Sequence, residues 1–166
     1  KLIAQGMGLW FIHGVMNTDN MSISGETIDY GPCAFMEAYD PQTVFSSIDA
    51  QGRYAYANQP AIAKWNLSRL ASALLPLIHE DDDQASTLAL ATLNEFDARY
   101  TEESLAVWRV KLGLGIADAS AQDNQVDLQL ALDFLQLLQD QGIDFTQGWR
   151  CLVDVLVADI ESETAQ

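Results

Sequence analysis

Apolar and polar positions along the chain fall into two regimes. From Pro60 to about Ile78, Ile62, Trp65, Leu67, Leu70, Leu74 and Leu77 recur every three or four residues, which predicts an amphipathic helix. Asn58 is placed to cap it, and Pro60 suits a first turn, where its missing N–H matters least. His79 to Asp83 breaks the pattern and opens a second helix reaching about Leu112, with an interruption expected near Tyr100-Thr101 and an end at Gly113 and Gly115. A third helix is predicted over about 123–140, closed by Gly142, and a fourth over about 146–160. The apolar stripes of these helices read as packing surfaces. Lys1 to Ile12 reads as the inside of an apolar element with no start signal before it, so the chain is expected to be part of a longer protein.

The other regime is short-period. Met21 to Ile28 alternates as a hairpin would, with a Ser24-Gly25 turn. That turn makes Met21 face Ile28, Ser22 face Thr27 and Asn20 face Asp29. Met21, Ile23 and Ile28 then share an apolar face, and Asn20, Ser22, Thr27 and Asp29 a polar one. Opposed residues have Cβ atoms about 4.5–5.5 Å apart, close enough for an amide oxygen and a carboxylate to share a divalent ion. Spacing alone leaves a second reading open, in which polar residues merely flank a turn, and a Gly25-Glu26 turn would break the pairing.

Charge sharpens this division. The 166 residues carry a formal net charge of −16, but residues 1–79 hold 6 acids and 4 bases against 18 and 4 in residues 80–166. The near-neutral front is where chemistry is expected, and the acidic back is helical support. The acids at 80–83 face the positive end of a helix dipole and point around the helix, so they read as a solvated first turn, not a cation site. So few bases disfavour nucleic-acid binding, and no apolar run is long enough to span a membrane. Two isolated cysteines, Cys33 and Cys151, favour a reducing, cytoplasmic compartment.

Kinase-like enzymes place a catalytic Asp, four residues, then a metal-binding Asn, followed by an Asp-Phe-Gly triplet. Here Asn20 stands where that Asn belongs and Asp29-Tyr30-Gly31 resembles the triplet, but the position for the catalytic Asp is Val15. A valine accepts no proton. His13 opens the loop and is expected to pack and hydrogen-bond within it.

The stretch His13 to Pro32 (HGVMNTDNMSISGETIDYGP) closely resembles the SelO family, also called YdiU or selenoprotein O. Phe35-Met36, Asp40-Pro41, Gly52-Arg53-Tyr54, Asn58-Gln59-Pro60, Trp65-Asn66-Leu67, Leu74-Leu75-Pro76, Lys111 to Leu114 and Asp144-Phe145-Thr146 extend the likeness over nearly the whole chain. The resemblance implies a mainly α, protein-kinase-like C-terminal lobe, with a short β-hairpin carrying the metal site and a helical bundle after it. Residues 1–60 would hold the catalytic loop and metal hairpin, and 61–166 the helical part of the same lobe, with the N-terminal lobe upstream. It further implies a nucleotidyltransferase that moves AMP from ATP to Ser, Thr or Tyr hydroxyls of acceptor proteins, with Mg²⁺ or Mn²⁺. Asn20 and Asp29 match the family's metal positions, Asp29 also its nucleotide site, and Asp19 its proton acceptor. Arg53-Tyr54 and Asn58-Gln59-Pro60 either shape an acceptor groove or support the hairpin.

The residues here contain no Gly-rich phosphate loop; Gly113-Leu-Gly115 is too short and follows a helix. The isolated chain is therefore expected to bind Mg-ATP weakly and to transfer nothing without the rest of its protein. Two alternatives stand beside this expectation. One is a protein kinase that transfers the γ-phosphoryl group, disfavoured by Val15; the other is a non-catalytic pseudokinase module whose acidic helices dock a basic partner.

Overall fold

The computed structural model describes residues 1–114 and 120–164 and is mainly helical. Its helices are α1 (Leu2–Gly8), α2 (Gln59–Ile78), α3 (Asp82–Asn94), α4 (Phe96–Leu112), α5 (Ala121–Gln141) and α6 (Phe145–Thr164). Strands β1 (Phe11–Ile12) and β2 (Ala34–Phe35) pair antiparallel, Phe11 with Phe35 and Ile12 with Ala34. The apolar opening segment is thus a helix followed by a strand. Contacts divide the chain into two compact units, residues 1–35 with 41–104, and 36–40 with 105–166.

In the first unit, Met16, Ile62 and Ala63 are buried together, with Ile3, Met21, Tyr54 and Phe96 packed around them. Helix α2 begins as expected, with Pro60 in its first turn. Asn58 sits at the cap position but donates its side-chain N–H to the Gly52 carbonyl at 2.8 Å instead of capping. The apolar stripe of α2 is only partly core: Ile62 is buried, while Trp65 and Leu70 are exposed and Leu77 is 83% exposed. Helices α2 and α3 pack together along a groove of about 510 Å³ lined by Leu67, Leu74, Leu88 and Leu93.

Asp81 caps α3 by accepting from the Gln84 N–H at 2.9 Å, which gives the acidic run its structural role. The interruption falls at Glu95, not at Tyr100-Thr101. Glu95 closes α3 through an N–H bond to the Thr92 carbonyl and pairs with Arg99 on the next turn. Tyr100 and Thr101 stay helical because Tyr100 stacks on Phe96 and the Thr101 hydroxyl donates to the Asp97 carbonyl. Gly113, at φ +71°, ends α4; Gly115 lies outside the described residues.

In the second unit, a Ser120–Asp123 capping box starts α5 and Gly142, at φ +59°, ends it. Trp149 of α6 stacks on Trp108 with centroids 5.8 Å apart and meets Phe134 edge-on at 4.7 Å. The Glu37 carbonyl accepts from the Phe145 N–H at 2.8 Å, tying residues 36–40 to the start of α6. Among the described residues, no helix is long and apolar enough to cross a membrane.

Candidate functional site

The loop after β1 begins with His13, which is buried. Its Nε2 lies 2.8 Å from the Ile28 carbonyl; a carbonyl only accepts, so Nε2 carries the proton and Nδ1 is left buried without a partner. His13 thus holds the loop, as its position suggests. The next residue, Gly14, packs against the backbone of Pro32 at φ +84°. Farther on, Met21 forms a β-bridge with Thr27. Three ties therefore join the segment carrying Asp19 and Asn20 to the segment carrying Asp29.

The bridge also corrects the expected register. Met21 pairs with Thr27, not Ile28, so Asn20 does not stand directly opposite Asp29. The reason is the turn: Gly25 adopts φ +74° and donates to the Ser22 carbonyl, placing the bend at Ser22 to Gly25 and adding a residue to the loop. Ser22, Ser24 and Glu26 then hydrogen-bond in sequence around the tip. The expected apolar face is not covered, since Ile23 is 89% exposed and only Met21 of that set joins the core.

The three predicted site residues lie as follows. Asp19 and Asn20 fall in a single 3-10 turn, Thr18–Asn20, with Asp19 exposed and Asn20 half-buried. Asn20 donates its side-chain N–H to the Val15 carbonyl at 2.9 Å, which fixes the amide and leaves its Oδ1 unclaimed. Val15, useless as a base, thus serves through its backbone. Asp29 is exposed at φ +55°, a left-handed conformation that non-glycine residues adopt uncommonly and at a cost. No described residue hydrogen-bonds its carboxylate, and a Cβ on Gly31 would stand 3.3 Å from Asp29 Oδ1. Asn20 Oδ1 and the Asp29 carboxylate, which no described residue hydrogen-bonds, are hard oxygens of the type Mg²⁺ takes from protein, carried on two segments that the bridge ties together. Among the described residues no three His, Cys, Asp or Glu side chains gather into a fuller metal set.

A model of the family described as Protein adenylyltransferase SelO matches residues 1–166. The chain belongs to the SelO family. Relatives named Protein nucleotidyltransferase YdiU include one from Mycobacterium sp. (strain KMS), 56% identical over 152 residues that cover 92% of this chain and 31% of the relative. Another, from Rhizobium leguminosarum bv. trifolii (strain WSM2304), is 54% identical over 164 residues, covering 99% of this chain and 31% of the relative. The chain spans about a third of the length of the curated relatives it matches.

Within this SelO-family chain, the residues that position the loop come from α2 and its approach. Gln59 accepts from the His13 N–H at 3.0 Å and donates to the Phe11 carbonyl at 2.9 Å. Two turns on, Asn66 donates to the carbonyls of Met16 at 3.0 Å and Asn17 at 3.4 Å. Tyr54 adds a hydroxyl donated to Asn17 Oδ1 at 2.5 Å. Gln59 thus fills the supporting one of the two roles expected of Asn58-Gln59-Pro60, whereas the sequence alone does not single out Asn66 as a loop support. Their signal was available: two amide side chains seven residues apart fall on one helical face, next to the buried Ile62 and Ala63.

Proposed function

We propose that this chain is the metal-binding, kinase-like helical part of a protein adenylyltransferase that moves AMP from ATP to a Ser, Thr or Tyr hydroxyl of an acceptor protein. Support comes above all from the joined segments bearing Asn20 and Asp29, each with an unclaimed hard oxygen, in a chain of the SelO family. In this reading Asn20 Oδ1 and the Asp29 carboxylate hold Mg²⁺ or Mn²⁺, and Asp29 also borders the nucleotide. Such an ion supplies positive charge against phosphate oxygens, whose developing charge dominates phosphoryl-group chemistry.

Asp19 does the proton work. It is exposed and one residue from Asn20, so its carboxylate is free to accept the acceptor hydroxyl's proton as that oxygen bonds to the α-phosphorus. The bond from the α-phosphorus to the bridging oxygen breaks, and pyrophosphate leaves with its electron pair. Both cysteines are free thiols, in keeping with a cytoplasmic setting.

The test uses the full-length protein with ATP labelled at the α- or the γ-phosphorus. Label from the α position should reach acceptor protein, and Asp29→Ala should abolish it. Transfer of the γ label instead would make the enzyme a kinase, and unchanged transfer by Asp29→Ala would remove the metal assignment.

A further inference from the structure

Two arginines share one indole on the surface of the first unit. The guanidinium carbon of Arg53 lies 4.7 Å from the Trp65 ring centroid and that of Arg69 lies 5.5 Å from it. Arg53 also lies over the Tyr54 ring at 5.7 Å. Arg53, Trp65 and Arg69 are all exposed. Trp65 and Arg69 are one turn apart on α2, so that half of the stack is built into the helix.

The charge around them is unusual for this molecule. The chain has only 8 lysines and arginines against 24 acids. Lys64, Arg99 and Arg109 are each matched with a carboxylate. Arg53 and Arg69 have no carboxylate partner among the described residues. Asp49, the acid that reaches this segment, spends its two oxygens on the backbone N–H groups of Arg53 and Tyr54, both at 2.8 Å. Stacking on an aromatic ring uses the flat face of a guanidinium and leaves its N–H edge for a carboxylate; Arg69 lends Nε to the Ser68 hydroxyl at 3.3 Å and keeps its terminal nitrogens uncommitted among the described residues.

The stack also has an address. Tyr54, next to Arg53, donates its hydroxyl to Asn17 in the loop that continues to Asp19 and Asn20. The stack is thus joined, through Tyr54, to the loop that carries Asp19.

We infer that Arg53, Trp65 and Arg69 form a docking surface for an acidic segment of the acceptor protein. The inference rests on the adenylyltransferase reading, and its test separates the two. The probes are a serine peptide flanked by glutamates and its lysine-flanked isomer, offered to the full-length protein. Binding is followed by peptide fluorescence anisotropy, and AMP transfer by α-labelled ATP. The wild-type protein should bind the glutamate peptide more tightly, with binding that weakens as salt rises. The double variant R53E/R69E should raise its Kd and KM about ten-fold or more, leave the KM for ATP unchanged and improve binding of the lysine peptide. The neutral variant R53Q/R69Q should fall between them; its retained ATP kinetics would show that the fold is intact. Equal binding of both peptides by wild type, or a change confined to the KM for ATP, would overturn the docking surface. Discrimination between the peptides without any AMP transfer would keep the surface and remove the enzymatic reading.

Discussion

The backbone of Gly14 lies so close to that of Pro32 that a Cβ at Gly14 would collide with the Pro32 carbonyl oxygen. Gly14 also holds φ +84°, which an L side chain adopts only with strain. Gly14→Ala should therefore lower stability by about 2–4 kcal/mol, combining overpacking against rigid backbone with left-handed strain. Gly25 is the control: it has φ +74°, but a methyl there would meet nothing within 4 Å, so Gly25→Ala should cost only about 1 kcal/mol. Urea midpoints of the two variants check this, and equal shifts would refute the close approach.

Asn66 reaches the same loop farther along, donating its side-chain N–H groups to the Met16 and Asn17 carbonyls. Asn66→Leu leaves the Met16 carbonyl, in a buried residue, without its donor, a loss of about 1–3 kcal/mol. The local consequence is more telling. The Asn20 N–H donates to the Asn17 carbonyl at 3.1 Å, closing the turn that holds Asp19. Hydrogen exchange at Asn20 should quicken in the variant more than exchange in the middle of α5. Uniform acceleration would mean a global effect, not a clamp on the loop.

Much of this arrangement is legible in the sequence, and the limits have physical causes. Helices α2 and α5 follow from period and punctuation, since Pro60 and Gly142 mark positions whose backbone demands are strong. The candidate site residues Asp19, Asn20 and Asp29 stand out through an unusual string of letters, not through periodicity. The hairpin register does not follow, because a loop with one more residue fits the same letters and shifts every pairing by one. The break at Glu95 was hidden for a related reason: Asn94-Glu95 carries no glycine or proline, while Tyr100-Thr101 looks like a breaker but finds partners one turn back on its own helix. The support from Gln59 is legible as one of two possibilities, but the contacts of Asn66 reach about fifty residues back along the chain, and local pattern does not name their partners.

Asp29 offers a separation of stability from function. At φ +55° alanine is strained where glycine is not, so Asp29→Gly should be more stable than Asp29→Ala by about 1 kcal/mol. Both variants remove the carboxylate, and both should lose AMP transfer in the full-length protein. A stability order with alanine above glycine would contradict the left-handed backbone, and activity in either would contradict the role given to the carboxylate.

Acid should loosen the start of α5. Asp123 has its carboxyl held below the ordinary 3.8, first by the Ser120 side chain, then by the Ser120 N–H, with Arg109 adding attraction. A depressed folded-state value means the carboxylate form is favoured by folding. Its stabilising contribution is complete above pH 3.8 and is lost as pH falls through the lower folded value. The stability difference between wild type and Asp123→Asn should shrink as pH falls below that point. A difference that stays constant into strong acid would show that the capping box does not depend on ionised Asp123.

Arg109, 8% exposed, pairs α4 with α5, its Nε 2.6 Å from Asp127 and a terminal nitrogen 2.8 Å from the Asn124 side-chain oxygen. Removing Asp127 leaves a buried guanidinium hydrogen-bonded to the neutral Asn124 oxygen alone, with only the weaker pull of the exposed Asp123 carboxylate. Asp127→Ala should then cost about 2–4 kcal/mol, below the full penalty for a wholly buried pair because Asp127 keeps some solvent. Replacing both partners by apolar groups, as in R109M/D127L, removes the stranded charge together with its carboxylate. If desolvation offsets most of the attraction, the double variant should recover over half of the loss caused by Asp127→Ala. Urea midpoints for the three proteins decide it: a double variant as unstable as the single one would mean that the pair contributes net attraction across α4 and α5, beyond satisfying a charge that packing has already buried.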